Sequence, residues 1–181
     1  MFGADVYAID QSMASVKKLK VRYPKIKAQV GDALNIPFED NKFDLTLSMG
    51  VLHHTPDCYK GFKECARVTK KNGYVFILLY RKYHWYPILY KIVRLFTQNK
   101  NPNKLPKFIL FPVKLFTTLY YGEKTSWEDA RNLLADQYFT PKATFHTKAQ
   151  IEEWAKLLNL KLLKTGHQYL WQHGVYYLKK L

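Results

Sequence analysis

One stretch, residues 31–54 (GDALNIPFEDNKFDLTLSMGVLHH), constrains this chain more than any other. It holds the ends of two expected strands and the loops that leave them. Residues 26–30 alternate weakly and stop at Gly31-Asp32; residues 43–48 alternate apolar with polar side chains and stop at Met49-Gly50. Between them, residues 36–42 are turn chemistry: Pro37 fixes φ, and Asp40-Asn41 tolerates a tight bend. An acid at the end of one strand and a small-residue loop at the end of the next define a crevice at the carboxyl edge of a sheet. That is where open α/β folds bind ligands.

The flanking segments extend the same pattern. Residues 5–10 read as a strand ending in Asp10, and Ser12 is placed to cap a helix over 13–23. A second helix is expected over 56–69, with Thr55 as its N-cap, Pro56 at the first helical position and Asp57 complementing the dipole. Lys70-Lys71-Asn72-Gly73 is expected to close it, because basic residues and a glycine suit a helix C-terminus. Residues 74–80 are a continuous apolar run of strand length, which suits a strand covered on both faces. Strand, helix, strand, helix, strand is the signature of an α/β fold with a doubly wound parallel sheet.

Composition changes after residue 80. Segment 81–124 has nine basic residues and one acid, so it carries +8 of the formal +15. Its aromatic and aliphatic residues recur at helical spacing in two blocks, Trp85 to Phe96 with Pro87 early in it and Phe108 to Tyr120 behind Pro106, and residues 99–103 join them. Pro112 is expected to kink the second block, because proline removes a helical hydrogen bond there. This helical hairpin is expected either as a lid over the crevice or as packing on the domain, with a membrane-surface module as a further alternative. Beyond it, Ser126 is placed to cap a helix over 127–135, residues 136–141 read as loop, and Thr147 with Gln150 forms a capping-box pattern for a helix over 148–158. Strands are expected over 160–165 and 174–181, the last antiparallel.

The sequence order Ile9-Asp10-Gln11-Ser12, then GDALNIPFEDNKFDLTLS, then VLHHTPD, then ECARVTKKNGYVFIL resembles the class I S-adenosylmethionine-dependent methyltransferases, in particular their small-molecule branch, across roughly the first 80 residues. The resemblance implies a Rossmann-like, mostly parallel sheet and S-adenosyl-L-methionine as cofactor. It assigns the ribose hydroxyls to Asp10, the adenine to Asp32 and Ala33, and the methionine end to Ser48, Met49 and Gly50. His53 and His54 then stand where a base could take a proton from a substrate. The plainer readings are a helix cap for Asp10, a turn residue for Asp32 and loop packing for the histidines. The family's first strand and glycine-rich turn have no counterpart after Met1, and no GxGxxG occurs, so the chain reads as a methyltransferase domain lacking its first strand. In the family order 3-2-1-4-5-7-6 that strand is central. The strands ending at Asp10 and near Ser48 are therefore expected to pair directly or to leave a slot.

These readings divide the chain into a cofactor-binding part, 1–80, a basic aromatic insertion or lid, 81–124, and a C-terminal part, 125–181, completing the same domain. The expected function is methyl transfer to a small molecule or lipid. The alternatives are a non-catalytic, truncated domain acting as a partner subunit, and a membrane-surface binding module. An acid closing a second strand also suits a nicotinamide dehydrogenase, but IPFEDNKFD and VLHHTPD have no role there.

Composition excludes other classes. The positive charge is mostly lysine, with only five arginines, which argues for a solvated lysine surface rather than specific nucleic-acid readout. Cys58 and Cys65 lie seven residues apart in an expected helix, roughly 10 Å at 1.5 Å rise per residue, too far for a disulfide. A reducing cytoplasm suits them, and peripheral membrane contact stays compatible. The first ten residues lack the basic and apolar regions of a signal peptide, and lysines and arginines interrupt each apolar run before it reaches membrane-spanning length. No metal is expected, because the six histidines and two cysteines have no ligand spacing; there is also no G-x-S-x-G elbow and no P-loop.

Overall fold

The computed structural model describes residues 3–83, 85–97, 100–121, 125–140, 142–168 and 173–181. Met1, Asn99 of the expected connector and Pro141 of the expected loop lie outside them. Strand β1 (Tyr7–Asp10) pairs in parallel with β2 (Lys27–Val30), and helix α1 (Met13–Arg22) crosses between them. Ser12 starts that helix as expected, its hydroxyl accepting the Ser15 N–H at 3.3 Å.

A second sheet has the order β3-β4-β6-β5, built from β3 (Phe43–Met49), β4 (Thr69–Tyr80), β5 (Leu160–Gln168) and β6 (His173–Lys180). β3 runs parallel to β4, while β6 is antiparallel to both of its neighbours. Helix α2 (Cys58–Val68) links β3 to β4, and α6 (Lys148–Leu157) precedes β5. One face of this sheet is the core: Val75, Ile77 and Leu79 of β4 and Leu178 of β6 pack with Phe62 and Cys65 of α2 and Ile151 of α6. Both cysteines are buried free thiols, and burial pushes each up to about 12.

The register places Leu45, Leu47 and Met49 of β3 beside Tyr74, Phe76 and Leu78 of β4 on the opposite face. There the β3 side chains stay exposed, Leu47 by 59%. β1 and β3 are not hydrogen-bonded to each other, and among the described residues no strand lies between them. Their first residues nevertheless touch, with the Tyr7 and Phe43 rings 5.4 Å apart, so both strands start from the same edge.

Arg67 holds the loop ahead of β3 in place. Its guanidinium donates to both carboxylate oxygens of Glu64 at 2.8 Å, to Asp40 at 2.7 Å, and to the carbonyls of Phe38 and Ile36 at 2.8 and 2.9 Å. Glu64 in turn accepts the Ile36 N–H at 2.8 Å, and the Arg67 hydrogen bonds hold its carboxyl below the usual range. The turn at residues 36–40 is thereby fastened to α2. Lys180 fastens the same, C-terminal end of that helix, donating to the carbonyls of Ala66 and Thr69 at 2.8 Å each.

The structure corrects three local expectations. α2 starts at Cys58 with Asp57 as its cap, the carboxylate accepting the Lys60 N–H at 2.9 Å; Thr55 instead donates to the Leu52 carbonyl. Lys70-Lys71-Asn72-Gly73 does not end a helix but belongs to β4, which starts at Thr69. Asn72, not the glycine, takes the positive φ of 64°, and a Cβ on Gly73 would lie 2.9 Å from the carbonyls of Asp44 and Lys70. The glycine is needed for close backbone approach where the β3–β4 register shifts. Gln150 meets His146 Nδ1 at 3.1 Å, while Thr147 caps α6 through the Gln150 N–H.

Residues Tyr83–Ala143 form a compact unit of their own. It contains α3 (Tyr86–Thr97), a 3₁₀ turn (Pro102–Lys104), α4 (Lys107–Tyr121, with Pro112 inside) and α5 (Trp127–Tyr138). α5 is longer than expected and starts with a complete capping box between Ser126 and Asp129. Within the unit, Arg94 and Thr97 of α3 donate to the Tyr138 carbonyl at the end of α5, and Lys107 and Lys114 of α4 lie over the Trp127 ring.

Candidate functional site

Asp10 closes β1 and is exposed. One carboxylate oxygen accepts the Ser12 N–H at 2.7 Å, which orients the group; the other has no hydrogen-bond partner among the described residues. Asp32 follows β2 and accepts the Leu34 N–H at 2.9 Å in a tight turn. The same oxygen accepts Gln11 Nε2 at 3.1 Å, so Gln11, which follows Asp10 in sequence, ties the loops after β1 and β2 together. Ala33 sits half-buried against the core.

At the end of β3, Ser48 is buried, Met49 is exposed, and Gly50 turns the chain at φ +77°. The Gly50 N–H donates to the Leu78 carbonyl at 3.3 Å, which fixes this turn on β4, and a Cβ there would meet nothing within 4 Å. The strand end thus presents bare backbone to open space. An acid with an unengaged oxygen, a polar turn and an open glycine at the ends of β1, β2 and β3 fit a cofactor that carries a vicinal diol and a zwitterionic tail.

His53 and His54 lie on a single 3₁₀ turn, Leu52–His54, after that glycine. They face different ways: His53 is 1% exposed, whereas His54 is half-buried. The His53 ring packs on Tyr80 with centroids 3.8 Å apart, and its carbonyl accepts the Thr144 N–H at 2.8 Å. Burial holds its pKa well below the ordinary histidine value, and nearby His54 adds to the effect, so the ring is neutral at physiological pH. Its Nδ1 has no hydrogen-bond partner among the described residues.

Sequence reasoning missed the rest of this cluster. Tyr80 and His173 are register partners on β4 and β6 with rings 4.8 Å apart, and His173 is 5.9 Å from His53. Burial lowers His173 to about 4 and also lowers His146, which donates or accepts at Thr144 Oγ1 2.9 Å away. No local pattern signals a grouping that strand pairing alone creates. Among the described residues there is no cluster suited to a metal ion.

The family model described as "Methyltransferase domain" matches residues 1–77. Those residues resemble that family over less than half of the chain, and the fold is that of solved S-adenosylmethionine-dependent methyltransferases. Among curated relatives, the demethylmenaquinone methyltransferase of Paenarthrobacter aurescens is 44% identical over 72 residues, covering 39% of this chain and 28% of that protein. The chloroplastic tocopherol O-methyltransferase of Arabidopsis thaliana is 39% identical over 83 residues, covering 42% and 24%. The chain thus matches about a quarter of the length of these relatives. Among solved structures, a SAM-dependent methyltransferase from Methanosarcina mazei aligns over 97% of this chain and 82% of its own, with a TM-score of 0.60 and 16% identity. Magnesium protoporphyrin IX methyltransferase from Synechocystis, solved with bound SAH, aligns over 99% and 65% with a TM-score of 0.62 and 13% identity.

Proposed function

We propose that this chain takes part in methyl transfer from S-adenosylmethionine to a small molecule, and that Asp10, Asp32, Ala33, Ser48, Met49 and Gly50 hold the cofactor. The observation that carries this reading is the set of functional groups at the ends of β1, β2 and β3, with the Asp10 carboxylate oriented by Ser12 and only half engaged. The cofactor supplies an activated methyl group when bound, so the protein's part is alignment and proton handling. Asp10 accepts from the ribose hydroxyls, Asp32 with Ala33 borders the base, and the Ser48–Gly50 backbone lines the amino-acid end. His54 is the accessible imidazole and takes the substrate proton; His53, neutral and enclosed, sets the position of the turn that carries it. The relatives act on demethylmenaquinone and tocopherol by name, which supports a small apolar ring compound as substrate.

Equilibrium calorimetry with S-adenosylhomocysteine tests the proposal. Binding should be measurable, and Asp10→Ala should weaken it by roughly tenfold to a hundredfold, the range for losing hydrogen bonds to a charged group. Unchanged binding in Asp10→Ala would remove that assignment. A second reading is carried by the edges of β1 and β3 that have no strand partner among the described residues: the chain is a partner subunit whose cofactor site is completed by a strand from another polypeptide. A chain folded by circular dichroism that binds no S-adenosylhomocysteine favours this second reading over the first.

A further inference from the structure

Helices α3 and α4 are built inside out for a water-facing unit. On α3, Ile88, Ile92, Leu95 and Phe96 recur at helical spacing and are all exposed, Leu95 by 71%. The side turned towards α5 carries Tyr90, Arg94 and Thr97, two of them polar and hydrogen-bonded to carbonyls there. α4 repeats the arrangement. Phe108, Phe111, Leu115 and Leu119 are exposed, Phe108 by 76% and Leu119 by 75%, while Leu110 and Thr117 are buried. Water selects the reverse, with apolar side chains turned towards neighbours and polar ones outward.

Charge and length identify what covers these faces. Residues 83–121 contain six basic side chains and no acid. Lys91 lies between Ile88, Ile92 and Leu95 on the outward face of α3, where a long aliphatic stem can follow the apolar surface while the ammonium reaches a polar layer. Exposed Tyr83 and Trp85 precede α3, the aromatic types that settle at a membrane–water boundary. Neither helix can cross a bilayer: the 12 and 15 residues of α3 and α4 span about 18 and 22 Å against a hydrocarbon core of about 30 Å. A protein partner would require polar groups to fix its register, and these outward faces supply almost none.

We propose that the outward apolar faces of α3 and α4, with exposed Lys91 beside them, dock this unit onto the surface of an anionic lipid bilayer. The helices lie in the plane of the interface, with their aromatic and aliphatic side chains among the acyl chains and Lys91 at the headgroups. This inference is independent of the methyl-transfer reading, because it concerns a separate compact unit.

Co-sedimentation of the full chain with phosphatidylcholine vesicles, and with vesicles of phosphatidylcholine and phosphatidylserine, tests it. At about 0.1 M salt the anionic vesicles should bind at least about tenfold more protein than the neutral ones, and the difference should shrink at about 1 M, where the Debye length falls from about 10 Å to 3 Å. Replacing exposed side chains by Leu95→Glu with Phe108→Glu should abolish binding while circular dichroism stays unchanged. Equal partitioning to both lipids, no partitioning to either, or full binding by the double variant would overturn the proposal. So would velocity sedimentation showing a dimer that the double variant dissolves without any vesicle binding, which would assign these faces to a second copy.

Discussion

His53, His146 and His173 share one physical situation: each ring is buried, and burial disfavours its charged form. A histidine with a depressed folded pKa contributes stability that is fully present above its unfolded value near 6.5 and is lost as pH falls towards the folded value. For His173, with a folded value of about 4, the span amounts to about 3 kcal/mol between the two limits. Urea denaturation between about pH 7.5 and about pH 4 should therefore show stability falling below about pH 6.5. His173→Phe should flatten the curve. A wild-type stability that stays level through this window would mean that the rings are hydrated.

Two glycines in the larger sheet separate steric need from mere occurrence at the level of the element. In β4, a side chain at Gly73 would press on two backbone carbonyls at 2.9 Å, and neither can rotate away as a side-chain tip could. Gly73→Ala should cost about 1–3 kcal/mol, the usual penalty for overpacking. In β5, a Cβ on Gly166 would meet only Val175 at 3.9 Å, an ordinary contact, and the backbone needs no glycine. Gly166→Ala should leave stability unchanged or raise it by about 0.5–1 kcal/mol, because alanine loses less chain entropy on folding. Thermal melts of the pair read the contrast directly. Arg67 shows the same dependence on placement: one side chain on α2 satisfies two carbonyls and two acids belonging to the turn ahead of β3 and to α2 itself.

On the scale of the whole molecule, β4 is paired on both sides and packed into the core, whereas β3 is paired on one side only among the described residues. Hydrogen exchange should follow that difference. Amides of β4 from Val75 to Leu79 should exchange only through opening of the whole sheet, while every second amide of β3 should exchange orders of magnitude faster. Uniform protection along β3 at high protein concentration, lost on dilution, would show a strand of another copy occupying that edge.

The sequence by itself determined the strands ending at Asp10, at Val30 and within one residue of Met49, the Ser12, Ser126 and Thr147 caps and the division of the aromatic segment into helices, because each is encoded in a few adjacent residues. The resemblance also nominated the proposed cofactor residues, through motifs confined to the first 80 positions. The start of α2 and the role of Gly73 depart from the sequence reading, because a capping preference and a glycine stop signal are local rules, and strand pairing with β3 overrode them. Only the tertiary structure set Tyr80 and His173 against His53, attached Arg67 to the turn at residues 36–40, and turned the apolar faces of α3 and α4 outward. Helical periodicity fixes which residues share a face, but which face is buried depends on the neighbours that the fold supplies.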